Sequence, residues 1–202
     1  GKATLSKLLS GFKGTDICLV SGLAEGIDTV AHASAVKNDL KTIAVIGSGF
    51  DKLYPKSNVK LFNEIINGHG CVLSEYWLDE DAVSWHFPVR NRIVSGISKG
   101  VLVAEAALKS GAMTTANLAL EQGKELMCMP GSILNPNTQG IYKLLKNGAA
   151  MVTSAQDIME TMNWMIIKSE QNNLSENSNL SKEERIILDF ISKDALSLDE
   201  II

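Results

Sequence analysis

Apolar and polar residues alternate along this chain in two distinct rhythms. Short, nearly continuous apolar runs occur at DICLVSG (16–22), KTIAVIGSG (41–49), GCVLSE (70–75), GVLVAEA (100–106) and ELMCMPG (125–131), with a weaker one at AAMVTS (149–154). Runs of this kind predict strands buried on both faces, hence a parallel sheet covered by helices. Between them the apolar period lengthens to that of a helix. GIDTVAHASAVKN (26–38) carries Val30, Ala33 or Ser34, and Val36 or Lys37 at helical spacing. SNVKLFNEIINGHG (57–70) sets Leu61, Phe62, Ile65 and Ile66 on one face and then stops at Gly68. TTANLALEQG (114–123) opens on threonines, TQGIYKLLKNG (138–148) closes on Asn-Gly, and SAQDIMETM (154–162) opens with Ser154 and Asp157 as a capping pattern. Strands alternating with helices of this length predict an α/β, Rossmann-like, doubly wound fold with a mostly parallel sheet and helices on both faces.

The pattern changes near residue 165. Residues 1–164 form the Rossmann-like core. KSEQNNLSENSNLS (168–181) has little apolar content and no period, so 165–180 reads as a linker. Helical order resumes over 181–202, where Ser181 and Glu184 form a capping box and Ser197 and Glu200 suggest another. Two short helices with a tight turn are how a winged-helix-like module begins. At the other end the chain opens on Gly1, and Lys2 to Leu5 already read as helix, so further chain is expected upstream.

The net charge of −4 argues against an extended basic nucleic-acid surface and leaves room for a small basic pocket. No run of 18 apolar residues occurs, so no membrane span is expected. The three cysteines, Cys18, Cys71 and Cys128, show no C-x-x-C spacing and sit in or beside strand-like runs. They read as free buried thiols in a reducing, cytoplasmic setting. Three scattered histidines without H-E-x-x-H give no zinc site, and no cofactor is expected.

In open α/β sheets ligands bind beyond the carboxyl ends of the strands. Here those ends run into small-residue turns: Ser21-Gly22, Gly47-Ser48-Gly49, Ser110-Gly111 and the segment after residue 128. Glycine lets backbone approach a ligand, and a helix N-terminus offers free N–H groups to an anion, so converging turns suggest a phosphate-rich ligand. The named nucleotide motifs are nevertheless absent: GSGFDK breaks G-x-G-x-x-G, and neither G-x-x-x-x-G-K-[ST] nor G-x-S-x-G occurs.

Arginine is distributed unevenly. The chain holds sixteen lysines and three arginines, and two of the three, Arg90 and Arg92, fall in WHFPVRNRIVSG (85–96). Pro88 suits the first turn of a helix continuing through Ile97. On it Arg90 and Arg92 point roughly 200° apart. They have separate jobs, one toward a ligand and one toward a carboxylate of the fold, and arginine's planar fork serves either. Phe87, placed just before that helix, reads either as a hydrophobic staple or as an aromatic platform for a base. An acidic run, Glu75, Asp79, Glu80 and Asp81, precedes this stretch.

The segments VSGLAEGIDTVAH, TIAVIGSGFDKLYPKSN, LSEY, FPVRNRIVSGISKGVLVAEA, SGAMTTANLALEQGKELMCMPGSI and LLKNGAAMVTSAQDI resemble, in this order, the DNA-processing protein family DprA (Smf). The resemblance covers about residues 1 to 160, and the tail after residue 180 is similar to the start of the family's winged-helix domain. It implies a non-catalytic, dimeric single-stranded DNA binder. It also implies a role in natural transformation, protecting incoming strands and loading the recombinase RecA. Carried over by position, it implies Phe87 as stacking aromatic and Arg90, Asn91 and Arg92 as the RNR element. Lys56 and the turns at Ser21, Gly22, Gly47, Ser48, Gly49, Ser110 and Gly111 would line the same pocket.

Two departures stand out. The family's first Rossmann strand ends in a Gly-Ser-Arg turn, a match for which would lie upstream of Gly1. Glu25 occupies a position often held by a cation in relatives, where a carboxylate repels phosphate unless it turns outward or pairs with a lysine. Two alternatives remain beside the DNA-binding reading. One is a Rossmann-like nucleoside-monophosphate phosphoribohydrolase, whose P-G-G-x-G-T turn is replaced here by SGAMTTA. The other is an interaction module whose basic stretch is a solvated face.

Overall fold

The computed structural model describes residues 1–164; the linker and helical tail expected over 165–202 lie outside the described residues. The elements follow in the order α1 (Lys2–Ser10), β1 (Cys18–Ser21), α2 (Ile27–Lys37), β2 (Lys41–Val45), α3 (Val59–Glu64), β3 (Gly70–Leu73), α4 (His86–Ile97), β4 (Gly100–Val103), α5 (Gly111–Glu121), β5 (Glu125–Cys128), α6 (Gln139–Lys146), β6 (Ala150–Met151) and α7 (Ala155–Thr161). The fold is the α/β, Rossmann-like one that the alternating pattern predicts. Its strands form two parallel three-stranded sheets, β1-β2-β3 and β4-β5-β6. The register places Val20 against Ile43 and Ala44 against Val72 in the first sheet, and Val101 against Leu126 and Cys128 against Met151 in the second.

Burial follows position in the sheet. The middle strands β2 and β5 are largely buried, as their apolar runs predict. The outer strands β1, β3 and β4 are half-buried or exposed along much of their length, which corrects the expectation of burial on both faces. The cysteines need the same correction. Only Cys128, in β5, is buried; Cys18 and Cys71 lie exposed at the amino-terminal ends of the outer strands β1 and β3. Burial pushes the Cys128 thiol up to about 11.

Three apolar clusters hold the layers together. Leu5, Leu8, Leu9 and Phe12, from α1 and just beyond it, meet Leu40, Met127, Met129, Ile158 and Met159, so one helix gathers residues from both sheets. Val103, Met113, Leu126, Ile141 and Leu144 seal α5 and α6 onto the second sheet. Leu23, Ala44, Ile46, Leu61 and Ile65 seal α3 onto the first.

The helix ends show where local signals held. Ser154 and Asp157 form the expected capping box of α7, and their hydrogen bonds hold the Asp157 carboxyl at about 2. The α5 cap is Ser110, whose hydroxyl accepts from Met113 N–H, so this helix starts before the threonines expected to open it. The third helix is shorter than predicted: regular helix ends at Glu64 and a wider turn, broken at Asn67 and Gly68, leads into β3. Among the described residues no helix is long and apolar enough to cross a membrane.

Candidate nucleic-acid interface

The amino-terminal half of α4 runs past the carboxyl ends of β1 and β2, and its side chains tie their turns together. The helix begins at His86, two residues ahead of Pro88. The earlier start has a tertiary cause. His86 is buried, its Nδ1 lies 3.1 Å from the Gly47 carbonyl oxygen, and its ring stacks on Tyr76 with centroids 3.8 Å apart. Phe87 therefore lies inside the first helical turn and is no staple. It faces Gly47, where an added Cβ would stand 3.1 Å from the ring, and Tyr54, whose ring centroid is 5.8 Å away.

The two arginines part company. Arg90 is only 3% exposed. Its Nη1 donates to the carbonyls of Gly22, at 2.6 Å, and Val45, and its Nε donates to Asn91 Oδ1 at 3.2 Å. A Cβ on Gly22 would fall 2.4 Å from Arg90 Nη2, so glycine is the residue that lets this guanidinium close on the turn. Burial lowers the Arg90 pKa from the usual arginine value, with nearby Asp28 acting against the shift. The inward arginine thus meets carbonyl oxygens rather than the carboxylate expected from sequence. Arg92 has a side chain 51% exposed and pairs with Glu75. It is the outward arginine, and it is the one that meets a carboxylate.

The turn after β1 is held from two more sides. Asp28 Oδ2 accepts from the N–H groups of Gly22 and Ala24, at 3.1 and 3.2 Å. The amide of Asn58, which is buried, donates to the Leu23 carbonyl at 2.9 Å. Beneath lies His32, fully buried, with Nδ1 2.7 Å from Thr42 Oγ1. The Thr42 hydroxyl donates its own proton to the Leu19 carbonyl, which leaves its oxygen to accept a hydrogen from His32 Nδ1. Burial lowers the His32 pKa to about 4.

The remaining sequence-predicted residues are distributed as follows. Asn91 reaches toward the start of α5, where a Cβ on Gly111 would stand 4.0 Å from its Nδ2. Ser21 is half-buried at the end of β1. Ser48 is buried, its carbonyl accepting from Ser74 Oγ, and Gly49 lies under the 76–80 loop, its N–H bonded to the Glu80 carbonyl. Lys56 is exposed. Glu25 is bonded by the Ser57 hydroxyl at 2.8 Å and pairs with no lysine among the described residues. It lines a cleft of about 330 Å³ at the strand ends, with Asp28, Glu105, Ser110, Asn137 and Lys2. The cleft's lining holds three carboxylates and one lysine, and the Arg92 guanidinium on α4 is not part of it. Tyr54, Asn58 and His86 were missed in the sequence reading; only the aromatic character of Tyr54 beside Lys56 hinted at a role.

Residues 1–163 match the family model described as DNA recombination-mediator protein A. The chain is 46% identical over 159 residues to DNA processing protein DprA of Streptococcus pneumoniae, covering 79% of this chain and 56% of that protein. It is 44% identical to Protein Smf of Escherichia coli, covering 73% of this chain and 40% of that protein. Against DprA of Bacillus subtilis it is 44% identical, covering 71% and 48%. The chain thus spans about half the length of the curated relatives it matches. The crystal structure of the Streptococcus pneumoniae protein superposes with a TM-score of 0.73 at 43% identity, over 79% of this chain and 56% of that one. A structure of DNA processing protein A from Helicobacter pylori, described for its single-stranded DNA binding mode, superposes with a TM-score of 0.71 at 31% identity, over 80% and 73%.

Proposed function

The chain belongs to the DNA recombination-mediator protein A family, and from that premise we propose that it is a non-catalytic, cytoplasmic, dimeric protein that binds single-stranded DNA. In this reading it protects incoming strands during natural transformation and loads the RecA recombinase onto them. The observation that supports it best is the α4 rim, which carries a half-buried Phe87 ring beside Tyr54 in its first turn and the exposed guanidinium of Arg92 further along the same helix. Aromatic rings next to forked positive charge hold single strands without reading their sequence, since every base has a face to stack and every nucleotide a phosphate.

Each residue takes a definite part. Phe87 and Tyr54 stack bases. Arg92 exchanges the Glu75 carboxylate for a phosphate. Asn91 and the amino-terminal N–H groups of α5 at Gly111 bond the backbone alongside. Arg90 reaches no strand; it fixes the Gly22 and Val45 carbonyls so that the turns keep their shape. The acidic cleft repels phosphate and keeps the strand on the rim.

Fluorescence anisotropy of labelled oligo-dT and of duplex of equal length, at two salt concentrations, tests this. The single strand should bind preferentially and weaken as salt rises. Phe87→Ala should weaken it by roughly tenfold, the cost of about one lost stacking contact. Equal binding of both probes, or none at low salt, refutes the reading.

A further inference from the structure

The loop between β3 and α4 carries large apolar side chains on a frame that cannot easily move. The Leu78 carbonyl accepts from Asp51 N–H and the Glu80 carbonyl from Gly49 N–H, both at 2.8 Å. Ser74 Oγ donates to the Ser48 carbonyl at 2.7 Å. A Cβ on Gly49 would stand 2.0 Å from the Trp77 carbonyl oxygen and 2.3 Å from that of Leu78, so only glycine admits this packing. The two ends of the loop meet at His86, on which Tyr76 stacks and against which Trp85 sets its edge at 4.1 Å.

From this frame Trp77 is 81% exposed, and Leu78 and Trp85 are each 60% exposed. One apolar residue in water is ordinary; two tryptophans and a leucine on one pinned loop are not. Between Glu75 and Trp85 the sequence holds four carboxylates and no lysine or arginine. Asp79 is exposed, Asp81 is exposed with Lys52 Nζ 3.6 Å from its carboxylate, and Glu80 is partly exposed 3.7 Å from His86 Nε2, so the rim keeps a net negative charge beside one lysine.

We propose that Trp77, Leu78 and Trp85, rimmed by Asp79, Glu80 and Asp81, form a docking surface for a basic, amphipathic segment of a protein partner. Charge selects this occupant. The carboxylates repel a nucleic-acid backbone. A second copy of the chain, packed about a two-fold axis, would set these acids against themselves. A segment with lysine or arginine beside apolar side chains complements both features. Tryptophan held rigidly before binding is the side chain that most often anchors such contacts, and the pinned backbone removes the ordering cost of the loop. The surface is independent of the strand-binding rim: it needs neither Phe87 nor Arg92.

The test uses the full chain and a fluorescein-labelled synthetic helix with lysines on one face and leucines on the other. Its counterpart carries glutamates in place of the lysines. The lysine helix should bind and shift tryptophan emission to the blue, and the glutamate helix should not. The Trp77→Ala/Leu78→Ala double variant, with unchanged net charge, should bind at least tenfold more weakly. Trp77→Gln serves the same purpose if the double variant melts early. Asp79→Lys/Asp81→Lys should reverse the preference between the two helices. The proposal is overturned if neither helix binds, if both bind alike, or if the apolar variants bind as the parent does. It is equally overturned if the apolar variants lose oligo-dT instead, or if sedimentation shows that they dissociate a dimer.

Discussion

Arginine at position 90 and arginine at position 92 should fail in different ways when replaced. Arg90→Ala removes two charged hydrogen bonds to the Gly22 and Val45 carbonyls, inside a buried site. At about 1.5 kcal/mol each, the lower end for charged donors, the loss is about 3 kcal/mol. For a domain of this size that lowers the melting temperature by roughly 6–12 °C. Arg92→Ala removes a half-exposed ion pair with Glu75, which is of the order of 0–1 kcal/mol, and should shift melting by less than about 4 °C. Binding should show the reverse order. Losing one phosphate contact from Arg92 should flatten the salt dependence of oligo-dT affinity by about 0.7 in log–log slope. Arg90→Lys sharpens the test, since it keeps the charge but puts a more strongly hydrated ammonium in the buried site and loses the Nε bond to Asn91. It should lose most of the stability that Arg90→Ala loses. Scanning calorimetry and anisotropy titrations at several salt concentrations provide the readouts. If Arg90→Ala melts with the parent, or if both alanine variants lose stability and affinity in the same proportion, the division of roles is wrong.

Two further outcomes follow from buried groups. His32 titrates near 4 in the fold against a usual 6.5, so as pH falls the unfolded chain takes up this proton first. Stability should drop by roughly 3 kcal/mol between about pH 6.5 and 4 and then level off, and His32→Gln should flatten that slope in urea unfolding series. Cys18 and Cys71 are exposed and Cys128 is buried, so a thiol reagent should label two cysteines in the native protein and the third only on unfolding. Rapid labelling of all three would contradict the packing of β5.

What the sequence disclosed, and what it withheld, divides by range. The apolar runs of β2 and β5 and the Ser154–Asp157 box act within a few residues, and they were legible. The start of α4 was set two residues late, because Pro88 is a local signal whereas His86 is fixed by a carbonyl 39 residues away. The α5 cap was missed for a related reason: the threonines look like a start until Ser110 is seen holding Met113 N–H. Helical geometry separated Arg90 from Arg92 but could not assign them. Their assignment depends on the Gly22 and Val45 carbonyls, 68 and 45 residues from Arg90 in the chain, and on Glu75, which is 17 from Arg92. Asn58 was invisible on the same ground, since its amide serves Leu23 from 35 residues away.

The uneven use of arginine then has a physical explanation at both positions. A lysine at position 90 would bury a compact, strongly hydrated ammonium and would lack the Nε–H that reaches Asn91. The planar guanidinium is more weakly hydrated, so it tolerates burial, and its Nη1 bridges β1 and β2 at their carboxyl ends. At position 92 the same fork meets the Glu75 carboxylate in the isolated chain. A phosphate offers an acceptor oxygen to the same guanidinium nitrogen. On the proposed reading, the Glu75 pairing keeps Arg92 outward on α4 and is a competitor that a phosphate must displace. Glu75→Gln should remove the competitor while leaving the side chain a hydrogen-bond partner. Oligo-dT should then bind more tightly at low salt, with little change in melting temperature. Weaker binding by that variant would mean that Glu75 positions Arg92 more than it competes for it.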